Sequence, residues 1–187
     1  MSWVVFALLS WLFVGLDLGF SSALQVGQTT MAPSFIVILL VFISMWATTS
    51  QSLMAAAILG LAADLVYMVP FSGDDDVVVF GAHALGYMLA AYTVRTMRAL
   101  MYRRGALATG FLALVAALIA EIVVTSVLSV RSFYDGVLVG SAATRLFEGI
   151  GSAVLTGIVG VPVGWLLSPF RAVLGFPATG KSAFRLH

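Results

Sequence analysis

The sequence predicts an all-α, polytopic membrane protein with six transmembrane helices, and three observations carry that prediction. Hydrophobic residues make up 61% of the 187-residue chain and charged residues only 9%. Mean hydropathy is +1.11, which leaves too little polar surface for a water-soluble domain. Seven of the nine basic residues fall in two places: Arg95, Arg98, Arg103 and Arg104, then Arg171, Lys181 and Arg185. Lysine and arginine accumulate in cytoplasmic loops, so these two clusters give the bundle a direction.

A helix needs about 20 apolar residues to cross a hydrocarbon core of roughly 30 Å. The first span is expected over Trp3–Leu24, retained because no positive region precedes it and Ser21-Ser22-Ala23 is a weak cleavage site. Pro33 suits the first turn of the second span, Pro33–Thr48, where its missing N–H costs nothing. A polar, uncharged break at 47–52 leads into the third span, Ser52–Val69. The loop at 70–76 carries Asp74, Asp75 and Asp76 and no basic residue, which marks it as external. The fourth span, Val77–Met97, returns to the arginine loop. The fifth, Gly105–Leu128, and the sixth, Arg145–Leu167, flank an outer loop at 130–143. Six spans with the arginines inside predict a multi-pass inner-membrane protein with N-in and C-in termini. The domain plan is a six-helix transmembrane domain over 1–169 and a basic cytoplasmic tail over 170–187.

Several functions are excluded or disfavoured by residue type. Without cysteine there is no disulfide, thiolate metal site or cysteine nucleophile. Two histidines, one of them the C-terminal residue, do not supply a metal site, and no cofactor is expected. The stretch from Gly175 to Ser182 matches the phosphate-loop pattern G-x-x-x-x-G-K-S letter for letter. That motif works only between a strand and a helix, and a membrane helix stands before it here. His83 can meet Asp64 across a helix pair, but no nucleophile motif accompanies them, so the chain is read as non-enzymatic. Three adjacent aspartates on a loop read as solvated charge. The arginines at 95–104 are expected to anchor on anionic lipid headgroups at about 1 kcal/mol each, with no nucleic-acid role.

Lipid tails are as apolar as leucine, so membrane helices associate through close contact at small residues. Ala56 and Gly60 recur four apart on the third span, and Ala82, Gly86 and Ala90 on the fourth. Gly149, Ala153 and Gly157 do so on the sixth, continuing to Gly160 and Gly164. Such stripes serve either the bundle itself or a partner helix. Each embedded ionisable group also needs a reason, at about 2.5–3.5 kcal/mol or more. Rising 1.5 Å per residue, Asp17 lies about 21 Å and Glu121 about 24 Å from the inner end of its span. With Asp64, His83, Arg145 and Glu148 they converge on the outer half of the bundle. They either satisfy one another, as Arg145 and Glu148 are spaced to do, or line an outward-facing polar cavity. Asp64 is the expected keystone.

The middle of the chain resembles the rod shape-determining protein MreD family. Pro33 opens the second span, Gly60-Leu61-Ala62-Ala63-Asp64-Leu65 gives a G-L-x-x-D-L pattern, and the fourth span runs Gly81-Ala82-His83-Ala84-Leu85-Gly86-Tyr87 and on through Tyr92 to Arg95 and Arg98. The likeness covers residues 33–104. It implies a non-enzymatic scaffold of the bacterial wall-elongation machinery that binds MreC, in a complex with MreB, a SEDS glycan polymerase and its transpeptidase. It also implies a fold like that of the S component of energy-coupling-factor transporters. Gly60, Asp64, Gly81 and Leu85 match the pattern and take a structural or partner-binding role from it. Ala82 and Gly86 offer a stripe on which an MreC helix would dock. The acidic 71–79 segment departs from the family pattern. The alternative is the substrate-binding S subunit of a vitamin transporter, whose first helix docks through an A-x-x-x-A stripe. Here Ala7 is followed by Trp11, which favours the scaffold.

Overall fold

The computed structural model describes residues 1–20, 23–25, 31–70, 76–98, 105–134 and 141–176. Six long helices form: α1 (Trp3–Phe20), α2 (Phe35–Trp46), α3 (Thr49–Val66), α4 (Ala82–Arg98), α5 (Ala106–Ser132) and α6 (Ala142–Leu167). A single turn, α7 (Phe170–Val173), follows. Between α3 and α4 a two-residue antiparallel ladder pairs β1 (Val69–Pro70) with β2 (Asp76–Val77).

Helix α2 is the axis of the bundle. It packs against α1, α3, α4, α5 and α6, and every residue from Phe35 to Met45 is buried. The others surround it in the order α1–α3–α4–α5–α6, with no close packing between α6 and α1. A central helix surrounded by protein has no polar face to offer, which is why its twelve residues, FIVILLVFISMW, are almost uniformly apolar. At 1.5 Å per residue it is about 18 Å long, short of a full membrane crossing. Four helices, α1, α3, α5 and α6, are long and apolar enough to cross a membrane. The protein is thus a helical membrane protein built on four such helices, with α2 and α4 shorter than a typical span.

The expected boundaries shift where backbone chemistry intervenes. Pro33 precedes the N-cap Ser34 instead of entering the first turn of α2. The third span ends at Val66, before Val69, and the fourth starts at Ala82, after Val77. Pro70 has no N–H for a helix, and Gly81 sits at φ +96°, outside the helical region. The outer loop before α6 is shorter than expected, because Ser141 caps that helix and accepts the Thr144 N–H at 3.1 Å. At the opposite end the Ser2 N–H donates to the Leu174 carbonyl at 3.0 Å, which brings the start of α1 and the end of α7 together.

The glycine stripes face inward. A Cβ on Gly60 would strike the Ala84 backbone and lie 2.8 Å from the His83 carbonyl oxygen, so α3 and α4 touch backbone to backbone. One on Gly86 would be 3.1 Å from the Ala120 carbonyl oxygen of α5. Gly157, Gly160 and Gly164 lie against Leu114, Ala113 and Thr109, seating α6 along α5. Ala82 and Ala90 are buried beside Gly86. The stripe from Ala82 to Gly86 thus packs toward α5: Gly86 meets Ala120, and Ala82 clusters with Val124 and Leu128.

Candidate functional site: a charged cavity beside two capped helix ends

A buried helix must satisfy four N–H groups at its start without water. Asp17, buried in α1, does this for α2. Its carboxylate accepts the Phe35 N–H and, at 3.4 Å, the Ile36 N–H. It also accepts the Ser34 hydroxyl and the Tyr67 hydroxyl, each at 3.2 Å. Ser34 in turn accepts the Val37 N–H, and its own N–H donates to the Thr156 hydroxyl at 2.9 Å. The negative charge thus faces the positive end of the α2 dipole.

Asp64 repeats the device for α4. Its carboxylate accepts the Gly81 N–H at 2.7 Å and the His83 N–H at 2.8 Å. The left-handed backbone at Gly81, which a side chain would strain, aims the first of these. The His83 Nδ1 lies 2.9 Å from the same carboxylate, so Nδ1–H donates and Nε2 is left for other partners. The His83 ring lies 5.4 Å from the Tyr67 ring and 6.0 Å, edge-on, from Tyr87. Tyr67 therefore joins the two caps, bonded to Asp17 and packed on the histidine that binds Asp64.

Beside these caps opens a cavity of about 380 Å³ between α2, α4, α5 and α6. His83, Glu121, Arg145 and Glu148 line it with Tyr67 and Ser34. Glu121 projects from α5 against Gly149 of α6, where an added Cβ would lie 3.2 Å from its Oε2. The basic side chains that line the cavity with Glu121 are His83 and Arg145. The six embedded charges thus collect at one end of the bundle, in two sets. Asp17 and Asp64 cap helices, with His83 bound to Asp64; Glu121, Arg145 and Glu148 face the cavity. Among the matched positions, Gly60, Asp64 and Gly81 meet at the α3–α4 joint, whereas Leu85 points outward, 58% exposed.

The opposite end of α2 has its own device. Arg98 donates to the carbonyls of Met45 at 2.8 Å, Ser44 at 3.0 Å and Ala47 at 3.2 Å, and Arg95 also donates to Ala47. The Arg171 guanidinium stacks 3.5 Å over the Trp46 ring. Arg95 and Arg98 are therefore engaged with the chain itself. Arg103, Arg104, Lys181, Arg185, Asp74 and Asp75 lie outside the described residues. The turn α7 stands where a phosphate loop would need a strand, and Gly180, Lys181 and Ser182 also lie outside the described residues.

Sequence reasoning missed Tyr67, Tyr87 and the cap Ser34. A serine between proline and an apolar run is a recognisable N-cap signal. Nothing in the sequence pairs Asp17 with Phe35 or Arg98 with Ser44. Gly15 and Gly19 also went unread: both are exposed, four apart on α1, so the first helix does present a small-residue face. Among the described residues no serine or threonine hydroxyl bonds to His83, and no cluster of three metal-ligating side chains forms. No family model, curated protein or solved structure matches this chain.

Proposed function

We propose that this protein is a non-enzymatic membrane scaffold of the MreD type, acting in bacterial cell-wall elongation. The observation that carries the reading is the α3–α4 joint. Residues of the family-like pattern, separated by up to 24 positions in sequence, are in physical contact: Gly60 on the Ala84 backbone, Asp64 on Gly81 and His83. Chance matches in apolar sequence carry no requirement to touch. The partner is a single-span protein of the MreC type with an external domain, and through it MreB, a SEDS glycan polymerase and its transpeptidase.

On this reading the chain crosses the inner membrane six times with both termini inside. The short α2 and α4 count as spans because the surrounding helices shield their ends. Support comes from Arg95 and Arg98 lying at the end of the bundle where Ser2 meets Leu174. The docking face lies on the outward surface of the bundle, where Leu85 is the matched position accessible to a partner.

Affinity purification of the tagged protein from its native membrane, in mild detergent, tests the assignment. Co-recovery of an MreC-type protein with wall-elongation enzymes is the expected result. Recovery of an ATPase pair with a transmembrane coupling subunit would replace it with the transport reading, which the exposed Gly15 and Gly19 of α1 favour.

A further inference from the structure

Beyond the scaffold role, we infer that the cavity between α2, α4, α5 and α6 binds a small zwitterion, its ammonium facing Glu121 and its acidic group facing Arg145. Glu121 and Arg145 each make no hydrogen bond and no direct ion pair with another described residue. Both line the same cavity, with Glu121 seated against Gly149, one helical turn beyond Arg145. The remaining charges there are committed: Asp17 to the α2 terminus, Asp64 to Gly81 and His83, and Glu148 to an interaction within the protein. Two opposite charges on the walls of one cavity form a dipole that a ligand of reversed dipole neutralises at both ends.

The walls suit an ammonium at the Glu121 side. Tyr67, Tyr87 and His83 line the cavity together with Glu121, and aromatic rings attract cations. Arg145, one helical turn before Gly149, presents a planar fork of donors suited to a carboxylate or phosphate. The volume, about 380 Å³, is at the low end of the roughly 300–1,000 Å³ typical of small-ligand sites. It fits an amino acid or an ethanolamine-phosphate headgroup, which share this chemistry.

The experiment uses the full-length protein alone, in detergent after delipidation, so its outcome is independent of any elongation partner. Isothermal titration calorimetry would follow L-alanine, O-phosphoethanolamine, inorganic phosphate, and short-chain phosphatidylethanolamine against phosphatidylglycerol in mixed micelles. Saturable binding of a zwitterion, at least tenfold tighter than phosphate or phosphatidylglycerol and weakened tenfold or more by Glu121→Gln, is the expected result. Binding of a soluble zwitterion identifies a free solute as the source, and binding of phosphatidylethanolamine alone identifies a lipid headgroup. Should Glu121→Gln fail to fold, Arg145→Gln must produce the same loss. Binding of no zwitterion, or equal binding by the parent and the folded variants, would overturn the inference.

Discussion

The two ends of α2 face the same physical demand and meet it with opposite charge. At the start, Asp17 accepts the Phe35 and Ile36 N–H groups; at the finish, Arg98 and Arg95 donate to the carbonyls of Ser44, Met45 and Ala47. Each charge opposes the local sign of the helix dipole. Their surroundings differ. The arginine end closes on itself, with Arg171 over Trp46. The aspartate end adjoins a cavity lined by Glu121 and Arg145, which have no direct ion-pair partner among the described residues. An ionisable residue deep in an apolar chain is therefore no functional signal by itself. One that terminates a helix is accounted for, and one that faces a cavity without a partner is the one to test.

The comparison can be broken most severely at Asp17. Asp17→Ala leaves the buried Phe35 and Ile36 donors without an acceptor and takes the Tyr67 hydroxyl's partner away. At about 1–3 kcal/mol per stranded group, it is expected to cost roughly 3–5 kcal/mol. Unfolding followed by circular dichroism in mixed SDS and detergent micelles measures this, and a loss below about 1 kcal/mol would remove Asp17 as the cap. Arg98→Ala is expected to cost about 2–3 kcal/mol in the same assay, with Arg98→Lys recovering only part, because one ammonium cannot reproduce the guanidinium fork.

Asp17→Asn separates hydrogen bonding from charge. The amide oxygen still accepts one N–H but loses the dipole complement, so a cost of about 1–2 kcal/mol is expected. Arg171→Ala removes the stack on Trp46 and should cost about 1 kcal/mol, with quenching or shift of the Trp46 fluorescence as a second readout. The finest test is the double substitution Asp17→Asn with Arg98→Lys. The two ends are about 18 Å apart along α2, so their costs should add within about 0.5 kcal/mol. A larger coupling would mean that the ends communicate through the helix.

Much of the architecture is legible without coordinates. The membrane class, six principal helices in their order and the gathering of Asp17, Asp64, His83, Glu121, Arg145 and Glu148 toward one end follow from composition and from the fixed rise of a helix. The break expected at 47–52 narrows to Ala47 and Thr48, because Thr48 caps α3 and accepts the Gln51 N–H. The contact of His83 with Asp64 is readable from the helix-pair register. Other features are not. Gly60, Gly86 and Gly157 read equally well as internal packing or as partner faces, and only the fold turns them toward Ala84, Ala120 and Leu114.

The physical reason is that membrane helices lack the signal that orients helices in water. A soluble helix aims its apolar stripe at the core, but α2, buried on all sides, and α1, with Trp11 85% exposed, are both predominantly apolar on every face. Sequence by itself determined that these segments are helices in an apolar medium and where their charges stand along the axis. Tertiary structure alone decided which helix lies at the centre, and hence which carboxylate and which arginines its unsatisfied ends require.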